Sequence, residues 1–316
     1  AALNPPFRFF YMPLFDIASS SFFATQRYPC NQVPGRMVVI APRPAQGWSG
    51  LPEGGPTPLE FTAEVPPTFA RGRPYYVLLL GRGGAGYDRV LVAREKDAAF
   101  PLAELRVGET SEWITETFHT EAGPRRGRFR FHLVALSPDG KDVRLYATAI
   151  NTVEPYTIPE ELTAELEEVA GPYMEVDDPW AFMDGWIPLE TFLEQLRGQN
   201  AWWEKATSYV LRTRPWDLAF SWIGSIDHIQ HVLYGGIEPR SRRYDPSSAE
   251  RWWGVIREVY RDVDRGVGEI LKQVDAGRTV VLVVSDHGFT HLDFFPYIKY
   301  VLAEAVLIND HVAPET

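Results

Sequence analysis

The chain has 316 residues, 45% hydrophobic and 23% charged, a globular balance long enough for one large or two medium domains with an ample core. Its net charge of −11 excludes a general electrostatic partnership with nucleic acid, although a bound cation would still let it hold a small phosphate-bearing molecule. The single cysteine, Cys30, excludes an internal disulfide framework and any cysteine-based zinc site, so a metal here would need histidine and carboxylate ligands.

From the amino end, residues 1–58 are rich in proline and aromatic side chains. A helix start is read in DIASSSFF, one short strand over 37–40, and then the loop APRPAQGWSGLPEGGPTP. From 59 to 150 the texture changes to short alternating runs: LEFTAEV, PYYVLLL, YDRVLVA, SEWITETF, RFRFHLVAL and DVRLYATA. Turn residues such as Ser137-Pro138-Asp139-Gly140 separate them, and period-two alternation at this spacing predicts an antiparallel sandwich or curled sheet. The glycine run from Gly81 to Gly86 imitates a dinucleotide-binding fingerprint, but YDRVLVA after it alternates like a strand, so a hairpin loop is predicted. The arginines of PRRGRFR (124–130) fall on a hairpin and the solvent face of a strand, in keeping with no nucleic-acid partner.

Beyond residue 151 helical spacing takes over, in PEELTAELEEV, PLETFLEQLRGQNAWWEKATSYVLRTR and SSAERWWGVIREVYRDVDRGVGEILKQV. The last opens with Ser247 and Glu250 at capping-box spacing. Trp202-Trp203 and Trp252-Trp253 are read as packing residues, and Asp262 and Asp264 as solvated helix charges. Between the helices lie two apolar runs, DLAFSWI (217–223) and TVVLVV (279–284), read as strands covered on both faces. Strand, loop, long helix, strand is a βαβ unit, normally right-handed and parallel, which makes this part α/β.

Both runs lead into an acid and an imidazole. The second continues into Ser285-Asp286-His287-Gly288, and in open α/β sheets ligands sit beyond the carboxyl ends of the strands. Asp and His are common ligands of zinc and similar ions, and Gly288 lets the backbone pass close to one. Alone, such a dipeptide is equally a turn with a capping Asp. The first run, however, leads into Ser225-Ile226-Asp227-His228-Ile229-Gln230-His231, where Asp227 and His231 are four apart and share a face of one helical turn. With the two strands as neighbours, Asp227, His231, Asp286 and His287 converge at one sheet edge as candidate metal ligands. His228 and His291 are read as flanking bystanders.

The stretches PWDLAFSWIGSIDHIQHVLYG, VYRDVDRGVGEIL and TVVLVVSDHGF resemble the carboxyl half of the alkaline phosphatase superfamily, in its type I phosphodiesterase and nucleotide pyrophosphatase branch. YPCNQVPGRMVV, ELRVGETSEW and VRLYATAI are similar to a bacterial subgroup with a β-rich insertion between the catalytic halves. The resemblance implies two divalent metals, zinc with manganese as the alternative. Asp227 and His231 match the pair on one metal, and Asp286 and His287 match ligands of the other. It implies in-line hydrolysis of a small-molecule phosphate ester by a metal-coordinated Thr or Ser. That nucleophile and the first metal-binding Asp are not visible in this chain. Ser19, Ser20, Ser21 and Thr25 fall on the wrong side of the segment 28–39, and His311, the later histidine besides His291, lacks the glycines that flank the family's last ligand. The chain therefore reads as cut at both ends, and alone is expected to turn over weakly.

The expectation is an α/β fold: an alkaline-phosphatase-like α/β/α sandwich with a mostly parallel sheet, interrupted by an antiparallel β-rich insertion. Residues 1–58 form a partial α/β segment, 59–150 the insertion and 151–316 the α/β metal-site domain. The function expected is that of a metal-dependent phosphodiesterase or pyrophosphatase. The alternatives are a non-catalytic binding or scaffold relic of the same fold and a metal-dependent phosphomutase. No apolar stretch approaches the roughly 18 residues of a membrane span, and AALNPPFRFF lacks a signal-peptide pattern, so no membrane span and a cytoplasmic location are expected.

Overall fold

The structure, a computed structural model, describes residues 20–28, 36–65, 73–120, 123–153, 155–173, 177–293, 302 and 305. Ser19, Cys30 and His311 lie outside the described residues. The strands are β1 (Ser21–Ala24), β2 (Arg36–Val39), β3 (Arg43–Pro44), β4 (Leu59–Val65), β5 (Arg73–Leu80), β6 (Arg89–Ala93) and β7 (Ala103–Leu105). They continue as β8 (Ile114–Thr120), β9 (Gly123–Phe129), β10 (Phe131–Leu136), β11 (Val143–Ala147) and β12 (Asn151–Thr152). The helices are α1 (Glu161–Ala170), α2 (Pro179–Met183), α3 (Leu189–Thr213), α4 (Ser225–Ile237) and α5 (Ala249–Leu271). None of the described helices is long and apolar enough to cross a membrane.

The alternating runs form strands, and alternation explains how. In β4, Phe61, Ala63 and Val65 are buried while Thr62 and Glu64 face water. β3 to β7 follow one another as an antiparallel meander, with β5 and β6 covered on both faces. Val77, Leu79, Val90 and Val92 enter the main core. Leu78, Leu80, Leu91 and Ala93 enter a second cluster, beneath Trp48 and Leu51. Tyr75, Phe129 and Phe131 meet edge to face with centroids 5.2–5.5 Å apart, tying the β9–β10 segment to this sheet. The glycine run of 81–86 lies between antiparallel β5 and β6, as the hairpin reading required.

The end of DIASSSFF is strand rather than helix. Phe22 and Phe23 are wholly buried in β1, which pairs antiparallel with β11 and parallel with β2. That pairing spans more than a hundred residues of sequence, beyond the reach of a local pattern. The sheets are otherwise antiparallel; β12-β9-β8 is a third small sheet beside β10-β11-β1-β2 and the meander.

Two compact units divide the chain, one of residues 1–225 with 261–280 and the other of 226–260 with 281–316. In the first, α1 and α3 share a cluster of Leu162, Leu166, Trp202 and Ala206. Polar groups fix the helices there. The Tyr146 hydroxyl donates to Asp178 Oδ2 at 2.8 Å, and Trp186 stacks on Phe22 at 5.3 Å. Asp262 is not a solvated charge: its side chain is mostly buried and accepts from Asn200 Nδ2 at 2.6 Å and from Arg265.

Residues 217–223 and 279–284, expected as neighbouring parallel strands, join no sheet among the described residues. Their side chains lie open, with Phe220 89%, Val283 81% and Val284 85% exposed. A β-branched apolar run satisfies its backbone and side chains only when flanking strands and covering layers are supplied. The described residues supply neither; they form a mixed α/β structure whose sheets are antiparallel apart from the β1–β2 pair.

His132 on β10 ties the sheet to α3 and is 2% exposed. Thr110 Oγ1 lies 2.8 Å from its Nδ1 and Thr191 Oγ1 3.1 Å from its Nε2, partners that suit a neutral ring. Burial, aided by the Arg130 charge, pushes its pKa down to about 4. The unfolded ring binds its proton near pH 6.5, so the folded state loses stability as pH falls from about 6.5 to about 4. We expect His132→Gln to flatten the fall in unfolding free energy, measured by urea titration, over that window by up to about 3 kcal/mol. An unchanged slope would contradict the assignment.

Candidate functional site

The second unit carries the candidate site. Helix α4 buries Ile229, Val232, Leu233 and Ile237 at three- and four-residue steps, which leaves Asp227 and His231 together on another face. Asp227 sits in the first turn, where the helix dipole favours a negative charge. Near the other end Gly236 admits the Trp252 ring of α5, because a Cβ there would come within 3.3 Å of it. The entry to α5 is fixed by Asp245 rather than by Ser247: its carboxylate accepts from Ser247 N at 2.9 Å, Ser247 Oγ at 2.7 Å and Ser248 Oγ at 2.9 Å.

All four expected ligands come to one place. His231 Nε2 lies 3.3 Å from Asp227 Oδ2. His287 Nε2 lies 3.8 Å from Asp227 Oδ1 and 3.7 Å from Asp286 Oδ2. The Asp286-His287 turn is held locally, since Ser285 Oγ donates to the His287 carbonyl and His287 Nδ1 donates to the Gly288 carbonyl at 2.9 Å. With Nδ1 committed to a carbonyl, a neutral His287 presents Nε2 as its lone-pair nitrogen, on the side of the two acids. The hydrogen bond to Gly288, then the charges of Asp286 and Asp227, raise the His287 pKa above its ordinary value.

Ion pairing alone does not hold this arrangement. The side chains of His231, His287 and Asp286 are 66%, 56% and 78% exposed, and pairs so open to water contribute on the order of 0–1 kcal/mol. Packing supplies the rest. Phe289 lies edge-on to His231 at 4.9 Å, 5.5 Å from the Tyr234 ring and 6.3 Å from His287. Sequence reasoning passed over Phe289 and Tyr234; the available signals were an aromatic one residue after Gly288 and another one helical turn after His231.

Donor chemistry and geometry can both be tested against a metal. Two carboxylates and two imidazoles are the donor types that divalent zinc takes. Asp227 Oδ1 is buried without a hydrogen bond, a desolvated anionic oxygen facing His287. As the side chains stand, no three His, Cys, Asp or Glu among the described residues are grouped closely enough to hold one ion. The donors fit a divalent ion in kind, although their present spacing does not form a three-ligand group.

Among the described hydroxyls weighed near the amino end, Ser20 and Ser21 are buried, Ser21 Oγ without a hydrogen bond, and Thr25 Oγ1 accepts from Val143 N at 3.1 Å. Of the two flanking histidines, His291 keeps its Nδ1 buried without a hydrogen bond.

In the metal-free protein, Asp286→Asn should lower the His287 pKa, because it removes a neighbouring negative charge. Imidazole NMR titration checks this, and an unchanged His287 pKa would contradict the geometry.

Neither a search of curated proteins nor one of solved structures found a match. A comparison with family profiles matched residues 109–312, from within the β-rich stretch through both Asp/His motifs. That is more than half of the chain, and the chain belongs to the type I phosphodiesterase / nucleotide pyrophosphatase family.

Proposed function

We propose that this chain carries a divalent-metal site of a phosphoester hydrolase, with Asp227 and His231 serving one ion and Asp286 and His287 a second, zinc or manganese. The observation that supports the reading best is the orphaned, buried Oδ1 of Asp227 with a histidine from a distant motif 3.8 Å away. An anionic oxygen without a hydrogen bond is costly in a folded protein unless a cation or donor meets it. Family membership supports phosphoester hydrolysis as the kind of reaction.

When bound, such ions would neutralise charge on the phosphoryl oxygens and on the leaving oxygen. The chain's own groups have separate tasks. Asp227 and Asp286 supply the negative charge that makes the site selective for cations, and the Gly288 carbonyl fixes the ring orientation of His287. Phe289 shields the imidazoles on one side. In the same reading the exposed runs 217–223 and 279–284 are strands of an alkaline-phosphatase-like α/β/α sandwich, supported by their apolar, β-branched composition. The location proposed is the cytoplasm. A phosphomutase would use the same donors with another acceptor.

A non-catalytic relic of the fold is the second reading, favoured by the lack of a three-ligand group among the described residues. Hydrolysis of bis-p-nitrophenyl phosphate separates the two. We expect slow release of p-nitrophenol that requires zinc or manganese, stops with chelator, and falls at least about tenfold in Asp227→Asn and in Asp286→Asn. Release that ignores chelator and both substitutions would overturn the hydrolase site, and no release at all would put the relic first.

A further inference from the structure

A cavity of about 440 Å³ opens in the second unit where α4 ends and α5 begins. Its wall combines three aromatic side chains, Tyr234, Tyr244 and Trp253, with the carboxylates of Glu238 and Glu250. We propose that this cavity is a binding site for a small organic ammonium cation. The proposal goes beyond phosphoester hydrolysis and stands whether or not metals bind.

Aromatic residues and carboxylates favour the same ligand for different reasons. Ring faces attract a positive charge whose alkyl groups also gain from leaving water, the combination that recognises alkylammonium groups. A carboxylate adds a net charge of the right sign. Both acids have arginine partners, Arg240 and Arg257, neither of which lines the cavity; Glu250 is 86% exposed, so Glu238 is the acid on which the proposal rests. On Glu238 the hydrogen bonds from Arg240, through Nε at 2.6 Å and through the backbone N–H at 3.3 Å, end on Oε1. The Glu238 side chain is only 15% exposed, so water screens its charge weakly. An anionic ligand would meet two acids, and a neutral apolar one would forgo them.

The volume suits a small organic molecule. The aromatic wall is also sequence-economical: Tyr234 is one turn beyond His231 on α4, and Trp253 lies in the first turn and a half of α5. Tyr234 touches Phe289, the ring that also touches His231 and His287. The cavity therefore borders the candidate metal site through one shared ring.

Choline and 3,3-dimethyl-1-butanol test the proposal, since they match in shape and differ in one positive charge. Titrations are run on the whole chain with chelator present, so that the outcome is independent of the hydrolase reading. Saturable choline binding is expected, with the neutral isostere at least roughly tenfold weaker. Glu238→Gln, and separately Tyr244→Leu, should each weaken choline at least about threefold while far-UV circular dichroism stays unchanged. Trp253→Phe, which keeps a ring, should bind more tightly than Trp253→Leu. Equal affinity for the two probes, no saturable choline binding, or indifference to all of these substitutions in folded protein overturns it.

Discussion

The carboxylate of Asp227 is the point on which the candidate site turns, because its two oxygens face two histidines from separate motifs. Oδ2 meets His231 on the same helix, and Oδ1 faces His287 from a loop that follows a different part of the chain. Exposed ion pairs of this kind are too weak to assemble a site alone. The assembly depends instead on α4 burying its apolar stripe and on Phe289 wedging beside both imidazoles. What remains is Oδ1, buried without a hydrogen bond on a carboxylate that is otherwise one-third exposed.

The two units divide the work by kind of interaction. The first is built on mostly antiparallel sheets whose strands send alternate residues to the core, and some of its buried polar groups are paired in specific ways, His132 between two threonines and Tyr146 with Asp178. In the second, His231, His287 and Asp286 of the candidate site are largely open to water. The acidic composition of the chain sharpens this. A net negative charge attracts cations generally, and the sites proposed at Asp227 and in the aromatic cavity would add local selectivity.

Periodicity revealed much of this and missed what is not periodic. The strands β4, β5, β6, β8, β10 and β11 follow from alternation and α1, α3 and α5 from three- and four-residue spacing, while the four-residue step from Asp227 to His231 marks one helical face. The runs 217–223 and 279–284 carry strand propensity but pair with no strand among the described residues, because propensity describes what a segment can do and a strand exists only with partners. The β1–β11 pairing was hidden by sequence distance, and the N-terminal signal of DIASSSFF competed with it. Asp262 looked like a surface charge because composition cannot show Asn200 arriving from another helix. The Ser247–Glu250 spacing imitated a capping box although Asp245, two residues earlier, makes the bonds. Trp253 was read as a packing residue and Tyr234 and Tyr244 were passed over, since aromatic rings line cavities and cores alike.

Metal content by mass spectrometry on the purified chain, wild type beside Asp227→Ala and Asp286→Ala, tests the central claim most directly. The account predicts about two zinc or manganese ions per wild-type chain, lost stepwise in the variants. Wild-type protein that carries no metal after exposure to both, or variants that keep the full complement, would contradict it.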